Sequence, residues 1–317
     1  MNTFAVIVFA LSYLLIAAPK LARFPLGRAG AALLGAFLMV AGGVLSPAQS
    51  FAALSFDTLL LLFSMMLFCA LFERAGLFGR AADFLLRRAK GPLSPLVWLS
   101  LLSGALSAHL VNDTICVFFT PVVVALCVRS GLPFAPYLLA LATSANLGSA
   151  ATLVGNPQNM LIGATSRLPF GEFLLYSGAA AFIALALNIA LLWLFFRKRL
   201  GQGWPARPSA APTPFSFEER LALFGLFGSV LAFFLGAHLG YAALGGVLFV
   251  LLFGRLDPLP LLKRVDYSLL VFFAGLFVIA AGLDRTGLLA SAFAKAAPHL
   301  QTDTTSGLLG FTAFFTV

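Results

Sequence analysis

Charge is what this chain has least of. Only 10% of its 317 residues are Asp, Glu, Lys or Arg, against 61% hydrophobic residues and a mean hydropathy of +1.02. A water-soluble domain of this size has no interior able to bury so much apolar side chain, so that class is excluded before any motif is read. Acidic residues are the scarcer sign, 11 against 20 basic ones, for a net charge of +9. Such an excess suits nucleic acid, but the basic residues sit in short clusters between apolar stretches. They form no continuous patch, so no nucleic-acid partner is expected and the clusters read as topology signals. Cysteine is rare: Cys69, Cys116 and Cys127 lie in apolar stretches, without CxxC spacing or nearby His, and read as small buried hydrophobes. HExxH, GxGxxG and GxxxxGK[ST] are all missing, which leaves an intramembrane zinc protease or a nucleotide-driven pump without support; no enzyme, metal centre or organic cofactor is expected.

What is present is a series of apolar stretches, and a helix needs roughly 20 apolar residues to cross a bilayer core. Candidates lie at 3–18, 31–45, 58–72, 94–111, 115–128, 130–166, 173–196, 221–236, 241–253 and 269–283, with a further apolar start at 307–317. The first has no basic residue before it and Lys20, Arg23 and Arg28 after it, the reverse of a cleavable signal peptide, so a retained span is expected. Let the N-terminus be outside and each stretch cross once, except that 94–128 enters and returns. Every Lys and Arg then faces the cytoplasm except Arg167, Arg285 and Lys295, as the positive-inside rule asks. The expectation is an all-α, multi-pass protein of the inner (plasma) membrane.

Two features follow from that parity. Residues 130–166 are too many for one straight helix yet must cross an odd number of times, so one crossing broken in the middle is expected. The break is expected where Ser144, Asn146, Gly148, Ser149, Thr152, Gly155, Asn156, Pro157 and Asn159 cluster. The stretch from Thr114 to Val128 reaches only about 22 Å at about 1.5 Å per residue, short of a core about 30 Å thick. Residues 92–128 are therefore expected to form a re-entrant hairpin with Asn112, Asp113 and Thr114 at its tip. An internal match accompanies this plan: Leu71-Phe72-Glu73-Arg74-Ala75-Gly76-Leu77 against Gly282-Leu283-Asp284-Arg285-Thr286-Gly287-Leu288. The first copy should end inside and the second outside, the pattern of inverted repeats in secondary transporters. Residues 1–200 would be the first repeat, with scaffold spans over 3–72, 201–216 a Pro-rich cytoplasmic linker, and 217–317 the start of the second.

Irregular backbone at membrane depth is tolerated only inside protein or beside a wet cavity, so the polar break needs a function. Freed carbonyls with Ser and Asn oxygens suit a hard cation, and a half-helix N-terminus suits an anion. Asp113 is the only charged residue between Gly91 and Val128, and an intramembrane carboxylate marks a functional site by default. It would help to hold Na⁺ or exchange a proton; the plainer reading is a cap for a helix starting at Thr114. For the cluster at 144–159 the plainer reading is a kink satisfied by neighbouring helices. His109 and Asp113 stand four apart, as two metal ligands would, but no third ligand is near, and His238 reads as a loop residue. The single Gly155-Asn156-Pro157 resembles one of the paired Asn-Pro-Ala loops of water channels. With only one copy present, a channel is the less favoured reading.

At Asn112-Asp113-Thr114, with Pro121 following, and along Ser144-Ala145-Asn146-Leu147-Gly148-Ser149-Ala150-Ala151-Thr152-Leu153-Val154-Gly155-Asn156-Pro157-Gln158-Asn159, the chain resembles the ion transporter superfamily. The second motif is similar to that of arsenite efflux permeases, D-type sodium/proton antiporters and divalent anion:sodium symporters, which include citrate carriers. The resemblance implies two inverted repeats, each with a re-entrant hairpin and a broken helix whose tips meet around substrate and cation. It places Asn112, Asp113 and Thr114 at the first tip. It puts Ser144, Asn146, Gly148, Ser149 and Thr152 along the broken helix, and Gly155, Asn156, Pro157 and Asn159 in its cation-facing loop. Na⁺ would lie among Asp113, Asn146 and Asn156. Transport coupled to Na⁺ or H⁺, a small anion as substrate, the lipid bilayer as surroundings and a homodimer are the further implications. A full second repeat would run roughly 100 residues beyond Val317, so half of the site is expected to be missing and the chain alone is expected not to transport. The resulting expectation is a secondary active permease for a small anion such as arsenite, citrate, another dicarboxylate or sulfate. The alternatives are a sodium/proton antiporter and a channel or structural membrane subunit.

Overall fold

The structure is a computed structural model that describes residues 2–17, 26–88, 91, 93–166, 168–200, 214–288, 290, 291 and 294. Linker residues 201–213, the apolar run 307–317 and the basic residues Lys20, Arg23, Lys90, Arg167, Arg207 and Lys295 lie outside that description. All regular structure among the described residues is helical. In chain order the helices are α1 (Asn2–Ala17), α2 (Gly27–Ala41), α3 (Pro47–Ala52), α4 (Phe56–Arg74), α5 (Leu77–Arg88), α6 (Leu93–His109) and α7 (Asn112–Ser130). They continue with α8 (Phe134–Ser149), α9 (Pro157–Ser166), α10 (Phe170–Phe196), α11 (Phe217–Phe234), α12 (Leu239–Gly254), α13 (Leu259–Leu262) and α14 (Tyr267–Asp284). Among the described residues α4, α10 and α14 are long and apolar enough to cross a membrane by themselves. Together they make this an integral membrane protein.

The chain divides into two compact units, Met1–Ser55 with Tyr267–Val317, and Phe56–Asp266. In the first, α2 and α14 run parallel in tight contact. A Cβ on Gly275 would lie 2.8 Å from the Ala32 carbonyl carbon, and one on Gly282 would lie 2.6 Å from the Met39 sulfur. Both contacts advance by one heptad together, so the register is constant. Apolar attraction between helices is weak in lipid, and small residues that let backbones approach take its place. Helix α1 runs antiparallel to α2: Phe4 covers Gly42 and Ser12 covers Gly35. Beyond α14 the Arg285 guanidinium donates to the Val44 carbonyl at 3.2 Å.

The second unit is organised on α4, which is apolar all round and buried continuously from Met65 to Phe72, as an internal helix should be. Helix α12 lies along it in parallel, with Gly240 against Leu60 and Gly246 against Phe68. Helix α10 is equally apolar but turns Leu175, Tyr176, Phe182, Ile183 and Phe195 outward, which is what a lipid-facing span does. Helices α6 and α8 are parallel neighbours: a Cβ on Gly148 would fall 2.2 Å from the Gly104 carbonyl oxygen.

Two expectations need adjusting on length. Helix α7 has 19 residues and starts at Asn112, so it reaches about 28 Å and the shortness argument for a re-entrant hairpin does not carry. The polar cluster at 144–159 is only partly irregular. Helix α8 continues through Ser144 to Ser149, and the break itself occupies 150–156 before α9 starts at Pro157. The internal sequence match does correspond to a local structural match. Each copy ends a span in a turn closed by a left-handed glycine, Gly76 at φ +81 and Gly287 at φ +67, before helix resumes.

Candidate functional site

Helix α6 ends at His109, the chain turns through the fully buried Leu110 and Val111, and α7 begins at once. That turn is pressed against the α8–α9 break. The Asn112 amide donates to the Gly155 carbonyl at 3.1 Å, and the Thr152 hydroxyl donates to the Ala108 carbonyl at the end of α6. The Asn112 side-chain amide reaches the Asn146 oxygen at 3.4 Å. Gly155 is required here by close approach, since a Cβ would sit 2.2 Å from the Ser149 carbonyl oxygen and 2.8 Å from that of Ser107. From the opposite flank, the Cys69 thiol of α4 lies against the Val111 backbone and the Thr114 side chain. Turn and break are one locus, built from α4, α6, α7, α8 and α9.

An interrupted helix leaves carbonyls open at its end, and buried ones must find donors. At the end of α8 the donors are side-chain amides. The Asn156 amide donates to the Ser149 carbonyl at 3.2 Å and to the Ser149 hydroxyl oxygen at 3.1 Å, while its own oxygen accepts from the Asn159 backbone N–H at 2.8 Å. The Asn159 amide donates to the carbonyls of Thr152 at 2.8 Å, Ala150 at 3.3 Å and Ser149 at 3.4 Å. The Ser149 hydroxyl donates to the Asn146 carbonyl at 2.8 Å. Asn156, Asn159, Ser149 and Thr152 thus brace the break from within.

The groups left to meet a ligand sit around the α7 turn. The Asn112 side-chain oxygen is buried and has no partner among the described residues, and Asp113 and Asn146 are both exposed beside it. Asp113 is not the cap of its helix: Val111 holds that position in extended conformation, and no side chain caps it. The carboxylate lies in the first turn of α7, where the helix dipole favours negative charge. His109 bonds back to the Ala105 carbonyl at 3.0 Å, and no cluster of three metal-ligating residues occurs among the described residues. His238 precedes α12 and meets the Asp57 carboxylate at 3.2 Å, beside a cavity of 530 Å³ lined also by Leu61, Met160, Phe170 and Phe233. That cavity is mostly apolar and includes none of the residues at the turn or the break.

One polar residue beside the site escapes motif reading. Asn188, in the middle of lipid-facing α10, donates through its amide to the hydroxyl oxygens of Thr143 at 3.0 Å and Ser144 at 3.1 Å. The available signal was its isolation, as the single amide side chain in that span.

Apolar spans, a broken helix, and a turn of amides and one carboxylate pressed against the break define a membrane transporter. The chain belongs to the citrate transporter family, whose model matches residues 13–317. It is 40% identical over 200 residues to the transporter arsB of Dictyostelium discoideum, covering 62% of this chain and 36% of that protein. It is 29% identical over 362 residues to the silicon efflux transporter LSI3 of Oryza sativa subsp. japonica, covering 95% of this chain and 75% of the relative. An uncharacterised transporter of Mycobacterium tuberculosis is 31% identical over 320 residues, with 95% and 72% covered. The chain therefore spans about a third of the first of these relatives and about three quarters of the other two. The family and these relatives are transporters, not enzymes.

Proposed function

We propose that this protein is a secondary active permease for a small anion, coupled to Na⁺ or H⁺. The carrying observation is the bond from the Asn112 amide to the Gly155 carbonyl, which joins the α6–α7 turn to the α8–α9 break. In this reading Na⁺ is held by the unpartnered Asn112 oxygen, the Asp113 carboxylate and the Asn146 oxygen, ligands suited to a hard cation. Asn156, Asn159, Ser149 and Thr152 keep the loop in shape, and Gly148 and Gly155 allow the backbones to meet. The anion lies beside the bound cation at the free N-terminal turn of α7, with Thr114 at hand; Pro157 starts the helix on the far side. The family's description points to citrate as the first candidate, and one relative is named for silicon efflux.

Helices α6 and α7 act as a re-entrant hairpin in the first of two inverted repeats, and the protein works as a homodimer in the inner membrane with its N-terminus outside. A second reading, sodium/proton exchange, is favoured by the exposed Asp113 carboxylate in the first turn of α7, a group able to carry either ion.

The test is binding by the purified chain. Melting temperature is recorded with citrate, arsenite or sulfate, each with and without Na⁺ and at several pH values. A ligand present at 100 times its Kd stabilises by about 2.7 kcal/mol, enough for a shift of a few degrees. At least one anion together with Na⁺ is expected to raise the melting point, and Asp113→Asn is expected to remove the Na⁺ effect. No shift with any anion, Na⁺ or pH, or an unchanged Na⁺ response in Asp113→Asn, would overturn the assignment; a Na⁺ and pH response without any anion response would favour the exchanger.

A further inference from the structure

An amide in a lipid-facing helix needs polar partners, and those of Asn188 are fixed by chemistry. The Thr143 hydroxyl hydrogen is already committed to the Leu139 carbonyl, at 2.7 Å. Its oxygen can therefore only accept from Asn188, which settles which end of the amide faces α8. The two amide hydrogens of Asn188 then go to neighbouring hydroxyl oxygens, Thr143 and Ser144, one of them fully buried. On the same face, one turn on, α8 touches α6 through Gly104 and Gly148, backbone to backbone, a contact without a side-chain hydrogen bond. Ser144 lies little more than one turn before Ser149, the residue whose carbonyl and hydroxyl receive the bracing amides of Asn156 and Asn159.

From this we infer that Asn188 is a positioning residue for the coupling site: by gripping Ser144 and Thr143 it fixes the rotation and height of the last turns of α8, and through Ser149 the shape of the break. Asn188 does not touch the cation or the anion. The inference rests on the placement of the cation site proposed above, and it predicts that a change in a span facing lipid alters cation affinity.

Two measurements on the full chain decide it. In hydrogen–deuterium exchange, Asn188→Leu is expected to speed exchange over residues 143–159 about tenfold, the effect of losing a net buried hydrogen bond, while α11 and α12 keep their rates. In thermal titration with Na⁺, the concentration giving half of the stabilisation should rise about tenfold in Asn188→Leu, and by a smaller factor in Ser144→Ala, which keeps the bond to Thr143. The double variant should be no worse than Asn188→Leu alone, because Ser144→Ala removes one of the two bonds that Asn188→Leu already removes. Ser144→Ala also serves if Asn188→Leu fails to fold. Unchanged exchange over 143–159, acceleration spread equally over all helices, or additive shifts in the double variant would each overturn the inference. If the unmodified chain shows no Na⁺ response, the cation site falls, and the exchange measurement still decides whether Asn188 holds the break.

Discussion

Gly148 and Gly155 show how the break is held together. Neither has a positive φ; both are required because another backbone occupies the place of a side chain, the Gly104 carbonyl for Gly148 and the Ser149 carbonyl for Gly155. Backbone atoms inside two packed helices cannot swing aside as a side chain would, so a methyl group on Gly148 must push α6 and α8 apart. Overpacking of this kind costs about 1–3 kcal/mol. Gly148→Ala is expected to lower the melting temperature clearly, whereas Gly79→Ala in α5, where a Cβ meets nothing within 4 Å, should hold or raise it. Equal melting points for Gly148→Ala and the parent chain would show that the α6–α8 crossing is looser than described. The sequence made these glycines visible as part of a polar, Gly-rich cluster, but not their purpose. Their function depends on Gly104 and Ser107, which belong to another helix. The amides have the same history. Asn156 read as a cation ligand and Asn159 as part of the cation-facing loop, and only three-dimensional contacts show their amide donors turned to the carbonyls of residues 149, 150 and 152.

Helix α11 has an unusually well-defined start. Ser216 and Glu219 form a capping box, in which the Glu219 carboxylate accepts from the Ser216 backbone N–H at 2.6 Å and the Glu219 backbone N–H donates to the Ser216 hydroxyl at 3.1 Å. Arg80 of α5 adds a two-pronged contact to the same carboxylate, at 2.6 and 2.8 Å, while its guanidinium lies 4.3 Å from the centre of the Phe215 ring. Hydrogen bonds from the Arg80 side chain, more than those from Ser216, hold the Glu219 carboxyl below its ordinary value of 4.5. A depressed carboxyl stabilises the fold above its unfolded pKa and loses that contribution as pH falls through the folded one. Melting temperature should thus be flat above that ordinary value and decline below it. In Arg80→Gln the melting point should be lower at neutral pH, and the decline on acidification smaller. An identical acid profile in the two proteins would remove Arg80 as the cause. The box itself is readable from the Ser-x-x-Glu spacing; the arginine, 139 residues away, is not.

Across the Phe56–Asp266 unit, charged contacts sort to two opposite ends of α4. At its C-terminal end Arg74 meets Glu218 at 3.8 Å, Arg80 meets Glu219, and Arg264 pairs with Glu73. At its N-terminal end, among the described residues, Asp57 pairs with His238, near the start of α10. The positive-inside count had put the first group of residues in the cytoplasm and the second outside. The folded unit brings together the ends that the count placed together, although each pair joins residues that are distant in the chain. This much of the topology was legible because charge in a membrane protein is constrained by the bilayer itself, not by a particular neighbour. Absolute sidedness is testable in intact cells with a membrane-impermeant maleimide, on a background in which Cys69, Cys116 and Cys127 are replaced. Leu235→Cys, in the α11–α12 turn and 78% exposed, should label from outside. Lys263→Cys, in the α13–α14 turn, should label only after the membrane is opened, because Lys263 sits in the basic cluster with Arg264. The reverse pattern would place the N-terminus of α4 inside and the excess of Lys and Arg outside. The asymmetry of charge that organises the unit would then need a cause other than membrane insertion.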